Sequence, residues 1–163
     1  MNLAIIDLDG VVADSTERFK RATRPDGSID WPTAFNPDLV ALDVPIDGAE
    51  VAMKRLEQRG YTIVFLTSRP ESMRDATQAW LDVHGLDYHD LVMKPRSAQF
   101  IKTVRWKAAE VRRMVALAGR SAADSVLFID DEELHRDAAR ALGLGITTFA
   151  NLSDLAGDEP IIV

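Results

Sequence analysis

Asn2-Leu3-Ala4-Ile5-Ile6-Asp7-Leu8-Asp9-Gly10-Val11 is the stretch on which the fold turns. Its first half is nearly continuously apolar, as a short strand buried on both faces of a parallel sheet must be. Its second half sets two carboxylates two residues apart, then a glycine. Residues two apart on an extended chain project to the same side, so Asp7 and Asp9 can face one point. Two acids that close repel, and the pair suits a divalent cation or a shared proton.

Outward from this strand, the apolar segments alternate in type. A helical pattern over 48–59 stops at Gly60, and a β-branched and aromatic strand follows at 61–67. Pro70 opens a helix over 71–84, ahead of a shorter strand at 88–93. A long helix over 103–118 precedes a strand at 125–129, a helix at 132–142 and a last strand at 146–149. Alternating strands and helices with short connections predict an α/β fold. The expected architecture is a Rossmann-like three-layer sandwich around a central parallel sheet of about five strands. The 163 residues make one domain, 1–163, with enough apolar content (47%) for a real core. Residues 24–47 are rich in Pro, Asp and Gly; they read as mostly irregular and as a small flap over the site.

Ligands of such sheets bind beyond the carboxyl ends of the strands, so chemistry is sought there. The 125–129 strand ends in Asp130-Asp131, which converge on Asp7 and Asp9 if the strands are neighbours. Several carboxylates need a compensating cation, and hard oxygen ligands select Mg²⁺. The 61–67 strand ends in Thr67-Ser68-Arg69, where a hydroxyl and main-chain N–H groups can bind a phosphoryl oxygen, although the same residues suit a helix cap. Lys94, Lys102 and Lys107 compete as the phosphoryl-binding cation, and spacing does not choose among them.

Composition removes whole classes of function. Without cysteine there are no disulfides, thiolate nucleophiles or Cys-based zinc sites. No apolar run approaches the ~20 residues of a membrane span, and the N-terminus reads as a strand rather than a secretory signal. A cytoplasmic protein without membrane contact is expected; nothing in the sequence assigns an oligomeric state. The net charge of −7 argues against wholesale nucleic-acid coating. It hides an asymmetry. Residues 94–120 hold eight bases and one acid, a local +7, and the rest of the chain holds −14.

With these residues in place, the chain resembles the haloacid-dehalogenase superfamily of aspartate-nucleophile phosphohydrolases over roughly residues 3–149. Asp7-Leu8-Asp9-Gly10-Val11 is similar to the family's DxDG[TV] signature. Thr67 after Val64-Phe65-Leu66, then Lys107, then Asp130-Asp131 after Leu127-Phe128-Ile129 follow in family order. The resemblance implies that Asp7 is the nucleophile and Asp9 the acid and base. It implies that Thr67 and Lys107 hold phosphoryl oxygens. It also implies that Mg²⁺ is held by Asp7, the main-chain carbonyl of Asp9 and Asp130, with Asp131 assisting. For Asp9 to carry a proton at neutral pH, neighbouring carboxylates would have to raise its pKa.

Only 24–47 is available as lid, so the site should be minimally capped and open. A finer resemblance is to the 3′-phosphatase domain of phage-type polynucleotide kinases. It rests on Thr67-Ser68-Arg69-Pro70-Glu71, Trp80-Leu81 with His84-Gly85, Leu91 to Arg96, Lys107 and Asp130-Asp131. The substrate implied is a phosphorylated DNA or RNA end or a nucleotide. Gly10, Ser68, Arg69, Lys94, Arg96 and Arg105 are expected at the substrate. Trp31, Phe35 or Trp106 is free to stack on a base or to pack in core or lid. No GxxxxGK[ST] phosphate loop is present, so no kinase activity is expected. Competing readings are a 5′-nucleotidase, a small-metabolite phosphatase, a phosphotransferase, a phosphoacceptor receiver domain and a non-catalytic binding module. The order of the acidic motifs argues against the receiver domain.

Overall fold

The structure is a computed structural model that describes residues 1–119 and 124–155. Its elements run β1 (Asn2–Ile6), β2 (Ala13–Asp14), α1 (Thr16–Ala22), α2 (Trp31–Ala34), a 3₁₀ segment (Pro37–Leu42), β3 (Val44–Pro45) and α3 (Ala49–Gln58). Then come β4 (Tyr61–Pro70), α4 (Arg74–Val83), β5 (Asp90–Lys94), α5 (Thr103–Leu117), β6 (Val126–Ile129), α6 (Glu133–Arg140) and β7 (Ile146–Phe149). Five of the strands form one parallel sheet in the order β5-β4-β1-β6-β7. The sequence that opens the chain therefore lies at the centre of the sheet, with β4 and β6 as its neighbours.

Alternation along the strands builds the two outer layers. Ala4, Ile6, Ile63, Phe65, Leu127 and Ile129 share one buried cluster with Met53 and Leu56 of α3 and with Trp80 and Leu81 of α4. Leu3, Ile5, Val64, Leu66, Val126 and Phe128 share the other with Trp106, Val111 and Met114 of α5. Both faces are covered, which is why these strands carry almost no polar residue. Trp106 is core, and stacking on a base is closed to it.

The expected elements recur with edges displaced by a few residues. The largest difference is at β4, which continues to Pro70; its pairing with β5 shifts register between Thr67 and Pro70. The kink falls where the chain must re-aim Thr67 and Arg69, a usual place for an irregular pair. Helix α1 and the two-residue ladder of β2 with β3 are too short to leave a periodic signal in the sequence.

The 24–47 segment is more ordered than its composition suggests. It contains α2, the 3₁₀ segment and β3, and it buries Ala34, Val40 and Asp43. The Trp80 indole N–H donates to the Asp43 carbonyl at 2.9 Å, tying the segment to α4.

Phe65 is fully buried in the middle of the sheet. Truncation by Phe65→Ala should cost about 3–5 kcal/mol through lost burial and the cavity left behind. Urea denaturation should show a lower midpoint at an unchanged m-value. A loss below about 1 kcal/mol would contradict this account of the core.

Candidate active site

Register brings the strand tips together. Ile6 pairs with Phe65 on one side and Ile129 on the other, so the next residue of β1, Asp7, falls beside Asp130. The Asp7 N–H donates to the Ile129 carbonyl at 2.9 Å, continuing the ladder one step past the strand. Carboxylate oxygens of Asp7, Asp130 and Asp131 lie within 4.8 Å of one another. Lys107 reaches up from α5 between two of them, 2.6 Å from Asp7 Oδ2 and 2.7 Å from Asp130 Oδ2. Of the three candidate lysines, Lys107 is therefore the one placed among these acids. Lys94 instead turns its ammonium to the Ile101 carbonyl (2.7 Å) and Thr103 Oγ1 (3.3 Å).

The electrostatics follow from burial. Burial pushes the Asp7 carboxyl up to about 7, with Asp130 adding to the effect and Lys107 opposing it. For Lys107 burial pulls downward, but Asp7 and Asp130 outweigh it and hold the ammonium charged. Asp130 also suffers burial, yet His135 and Lys107 keep it below the usual carboxylate range. Its Oδ1 lies 3.0 Å from His135 Nδ1 and accepts from the Glu132 N–H at 3.0 Å. Arg136 donates to the main-chain carbonyls of Asp130 and Asp131 at 2.6 and 2.7 Å and so fixes the turn that presents both acids. Three carboxylates face one cationic lysine, and that negative excess, made of hard oxygen ligands, fits a divalent cation such as Mg²⁺.

Gly10 explains the close approach of Asp131. Its φ is +82°, a conformation costly for other residues, and a Cβ built there would overlap the Asp131 carboxyl, 2.7 Å from its Cγ. Gly10 acts by making room, which differs from the substrate contact expected of it.

Asp9 requires a correction. Its side chain turns away from the acidic cluster to Arg18 Nη2 (2.5 Å) and Arg69 Nη2 (2.6 Å). Burial alone would raise its pKa, but Arg69 and then Arg18 outweigh it and hold the carboxyl below its ordinary value. The expectation of a raised pKa from carboxylate repulsion is overturned, because two guanidinium groups stand closer than any acid. Arg69, expected at the substrate, is fully buried and bonds inward to Asp9, Asp43 and Thr77. Arg18 completes a closed set of two bases and two acids, with its Nε 2.9 Å from Asp43 Oδ1 and its Nη1 2.8 Å from the Ala34 carbonyl.

The other expected residues divide. Thr67 is buried at the β4 tip, where its Oγ1 accepts the Arg69 N–H at 3.2 Å. Ser68, Lys94 and Arg96 line one groove beside the site. Arg105 is exposed on α5 and does not line that groove. Arg120, part of the basic stretch, lies outside the described residues. Arg18, Asp43, His135 and Arg136 carry no sequence motif. Asp43 alone leaves a faint trace, as an acid between Leu42 and Val44.

Residues 28–123 match the family model described as PITM 1-3, LNS2 domain. That is more than half of the chain, which belongs to this family. The match includes Thr67 and Lys107 but begins after Asp7–Gly10 and ends before Asp130. No curated protein matches the chain. Among solved structures it is similar to a chain of the Pnkp1/Rnl/Hen1 complex, at 20% identity and a TM-score of 0.61, over 92% of this chain and 46% of that one. It thus spans about half the length of that relative. A haloacid dehalogenase-like hydrolase from Streptococcus pneumoniae is 14% identical with a TM-score of 0.64, over 97% and 92% of the two chains. D,D-heptose 1.7-bisphosphate phosphatase from B. bronchiseptica, solved with magnesium and phosphate, is 19% identical with a TM-score of 0.53, over 99% and 89%. The fold is that of the haloacid-dehalogenase superfamily.

Two variants probe the buried charges and the glycine. Asp43→Ala strands Arg18 and Arg69 with one shared acid and should cost about 3–5 kcal/mol in chemical denaturation, with Asp43→Asn milder. Gly10→Ala should cost about 1–3 kcal/mol from its left-handed backbone, plus the overlap with Asp131. Adding Asp131→Ala should return the overlap portion only. Recovery of full stability in that double variant would show the backbone conformation to be unstrained.

Proposed function

We propose that the protein is a Mg²⁺-dependent phosphomonoester hydrolase that works through an aspartyl-phosphate on Asp7, with a phosphorylated nucleic-acid 3′ end as its substrate. The observation that carries the reading is the convergence of Asp7, Asp130 and Asp131 around Lys107 at three elements' ends. Structures of the same fold include phosphatases, and one relative belongs to a complex described as an RNA repair complex.

An Asp7 oxygen attacks phosphorus, the ester P–O bond breaks, and the electron pair leaves on the alcohol oxygen. Lys107 offsets the charge that nucleophile and phosphate bring together, and Thr67 donates its hydroxyl to a phosphoryl oxygen. When bound among Asp7, Asp130 and Asp131, Mg²⁺ supplies further neutralisation of the phosphoryl oxygens. In the second half, Asp9 takes a proton from water, whose oxygen attacks phosphorus and releases Asp7 and inorganic phosphate. Arg69 and Arg18 keep Asp9 in the unprotonated form from which a base must start, and in this role its carboxylate would have to give up part of that pairing to meet the water. To protonate the leaving alcohol first, it must gain a proton, which the negative charge of a bound phosphomonoester favours.

The groove lined by Ser68, Lys94 and Arg96 supports a substrate that extends beyond the acidic site. Wild-type protein with Mg²⁺ should hydrolyse an aryl phosphate, and Asp7→Asn should lose at least about 10³-fold in kcat. Chelation should abolish turnover and Mg²⁺ restore it. In a panel of 3′- and 5′-phosphorylated oligonucleotides, mononucleotides and sugar phosphates, the 3′-phosphorylated oligonucleotide should have the highest kcat/KM. Preference for a sugar phosphate or a 5′-mononucleotide would replace the substrate assignment while leaving the chemistry intact. Turnover unchanged in Asp7→Asn would end the hydrolase reading.

A further inference from the structure

A groove of about 580 Å³ runs from Ser68 between α2 and the segment that follows β5. Trp31 and Phe35 line it together with Lys94 and Arg96. Trp31 is 54% exposed, which is a costly place for the largest apolar side chain. It is nevertheless held in one orientation. Its ring stacks on Phe35 at 5.3 Å and 28°, and meets Phe19 edge-on at 6.4 Å and 85°.

The charges of the groove are positive in a chain of −7. Among the described residues Arg96 has no acidic partner. Lys94 spends two of its three N–H bonds on Ile101 and Thr103, so one remains. Glu71, the acid in this groove, is neutralised by Arg74 through contacts of 2.7 and 2.8 Å. An exposed aromatic ring and cations without an acidic partner, lining one groove, are the combination that holds single-stranded nucleic acid: the ring takes a base and the cations take the backbone.

We propose that this groove seats the nucleoside next to the phosphorylated end, with its base stacked on Trp31 and its internucleotide phosphate against Lys94 and Arg96. The placement of that end rests on the hydrolase reading of the neighbouring acidic site. The stacking itself does not. Trp31 is then a specificity-determining residue that acts on substrate binding, with no part in bond breaking.

Trp80 and Trp106 are buried, so an oligonucleotide in the groove should quench the Trp31 component of the fluorescence. A single-stranded 3′-phosphorylated oligonucleotide titrated into Asp7→Asn protein should give saturable quenching. In the same background Trp31→Ala should remove the quenching and weaken binding of a labelled oligonucleotide roughly ten-fold or more, and Trp31→Phe should recover most of the affinity. Arg96→Ala should reduce the slope of log affinity against log salt by about one. With catalytically intact protein, Trp31→Ala should raise KM for the oligonucleotide at unchanged kcat and leave glycerol phosphate turnover as in wild type. Unchanged oligonucleotide affinity in Trp31→Ala overturns the groove assignment, as does an equal loss on glycerol phosphate. If wild type cleaves no phosphomonoester yet the oligonucleotide still quenches Trp31, the groove stands and the hydrolase reading falls.

Discussion

Too many carboxylates meet at one end of the sheet, and most of the surrounding structure answers that repulsion. Asp7, Asp9, Asp130 and Asp131 all follow the tips of β1 and β6, and Asp7 and Asp130 are buried. A buried acid without a partner costs several kcal/mol, so each must find a cation. The chain supplies two separate answers. Lys107 rises from α5 to bridge Asp7 and Asp130, and Arg18 with Arg69 takes Asp9. The second answer over-supplies positive charge, and Asp43 restores the balance. Asp43 belongs to the polar, proline-rich 24–47 segment. That segment is thus tied to α1 and β4 by ion pairs as much as by the burial of Ala34 and Val40.

The fold was legible in the sequence because its signal is redundant. Each strand of the sheet carries a short apolar stretch, and each helix that covers it ends near a glycine. The acidic cluster was legible because strand tips converge by geometry once the sheet order is known; Lys107, on a helix, was singled out only by the family resemblance, since spacing left it level with Lys94 and Lys102. Asp9 was misread for an instructive reason. Its motif places it near other acids along the chain, whereas its pKa depends on Arg18, nine residues on, and Arg69, sixty residues on. Neither arginine stands out in sequence, since one sits in the mixed run Glu17-Arg18-Phe19-Lys20 and the other reads as a helix cap. Side-chain networks that close through long-range pairs leave no periodic trace.

The basic stretch 94–120 divides in the same way, by what each side chain touches. Lys107 is buried in the acidic cluster, and Arg113 pairs with Glu110 at 2.7 Å on the α5 surface. Arg105 is exposed away from the groove, which leaves Lys94 and Arg96 facing it. A local charge of +7 is therefore a poor guide to a binding track. Two cations beside an aromatic side chain form a smaller and more selective feature than eight spread over residues 94–120.

Arg18 connects the two halves of the site. One of its nitrogens touches Asp9, another the carboxylate of Asp43, and a third the carbonyl of Ala34 at the end of α2. Helix α2 begins at Trp31. The guanidinium is planar and fully buried, so these three contacts cannot be varied independently. The distance from the Asp9 carboxylate to the exposed indole is consequently set by a buried ion-pair unit rather than by a loop. Under the proposed function, a nucleoside stacked on Trp31 would sit at a distance from Asp9 that this one side chain fixes, while Trp31 itself takes no part in bond breaking. Four residues of helix suffice for this, because their position is fixed by a guanidinium that the acids Asp9 and Asp43 had already required.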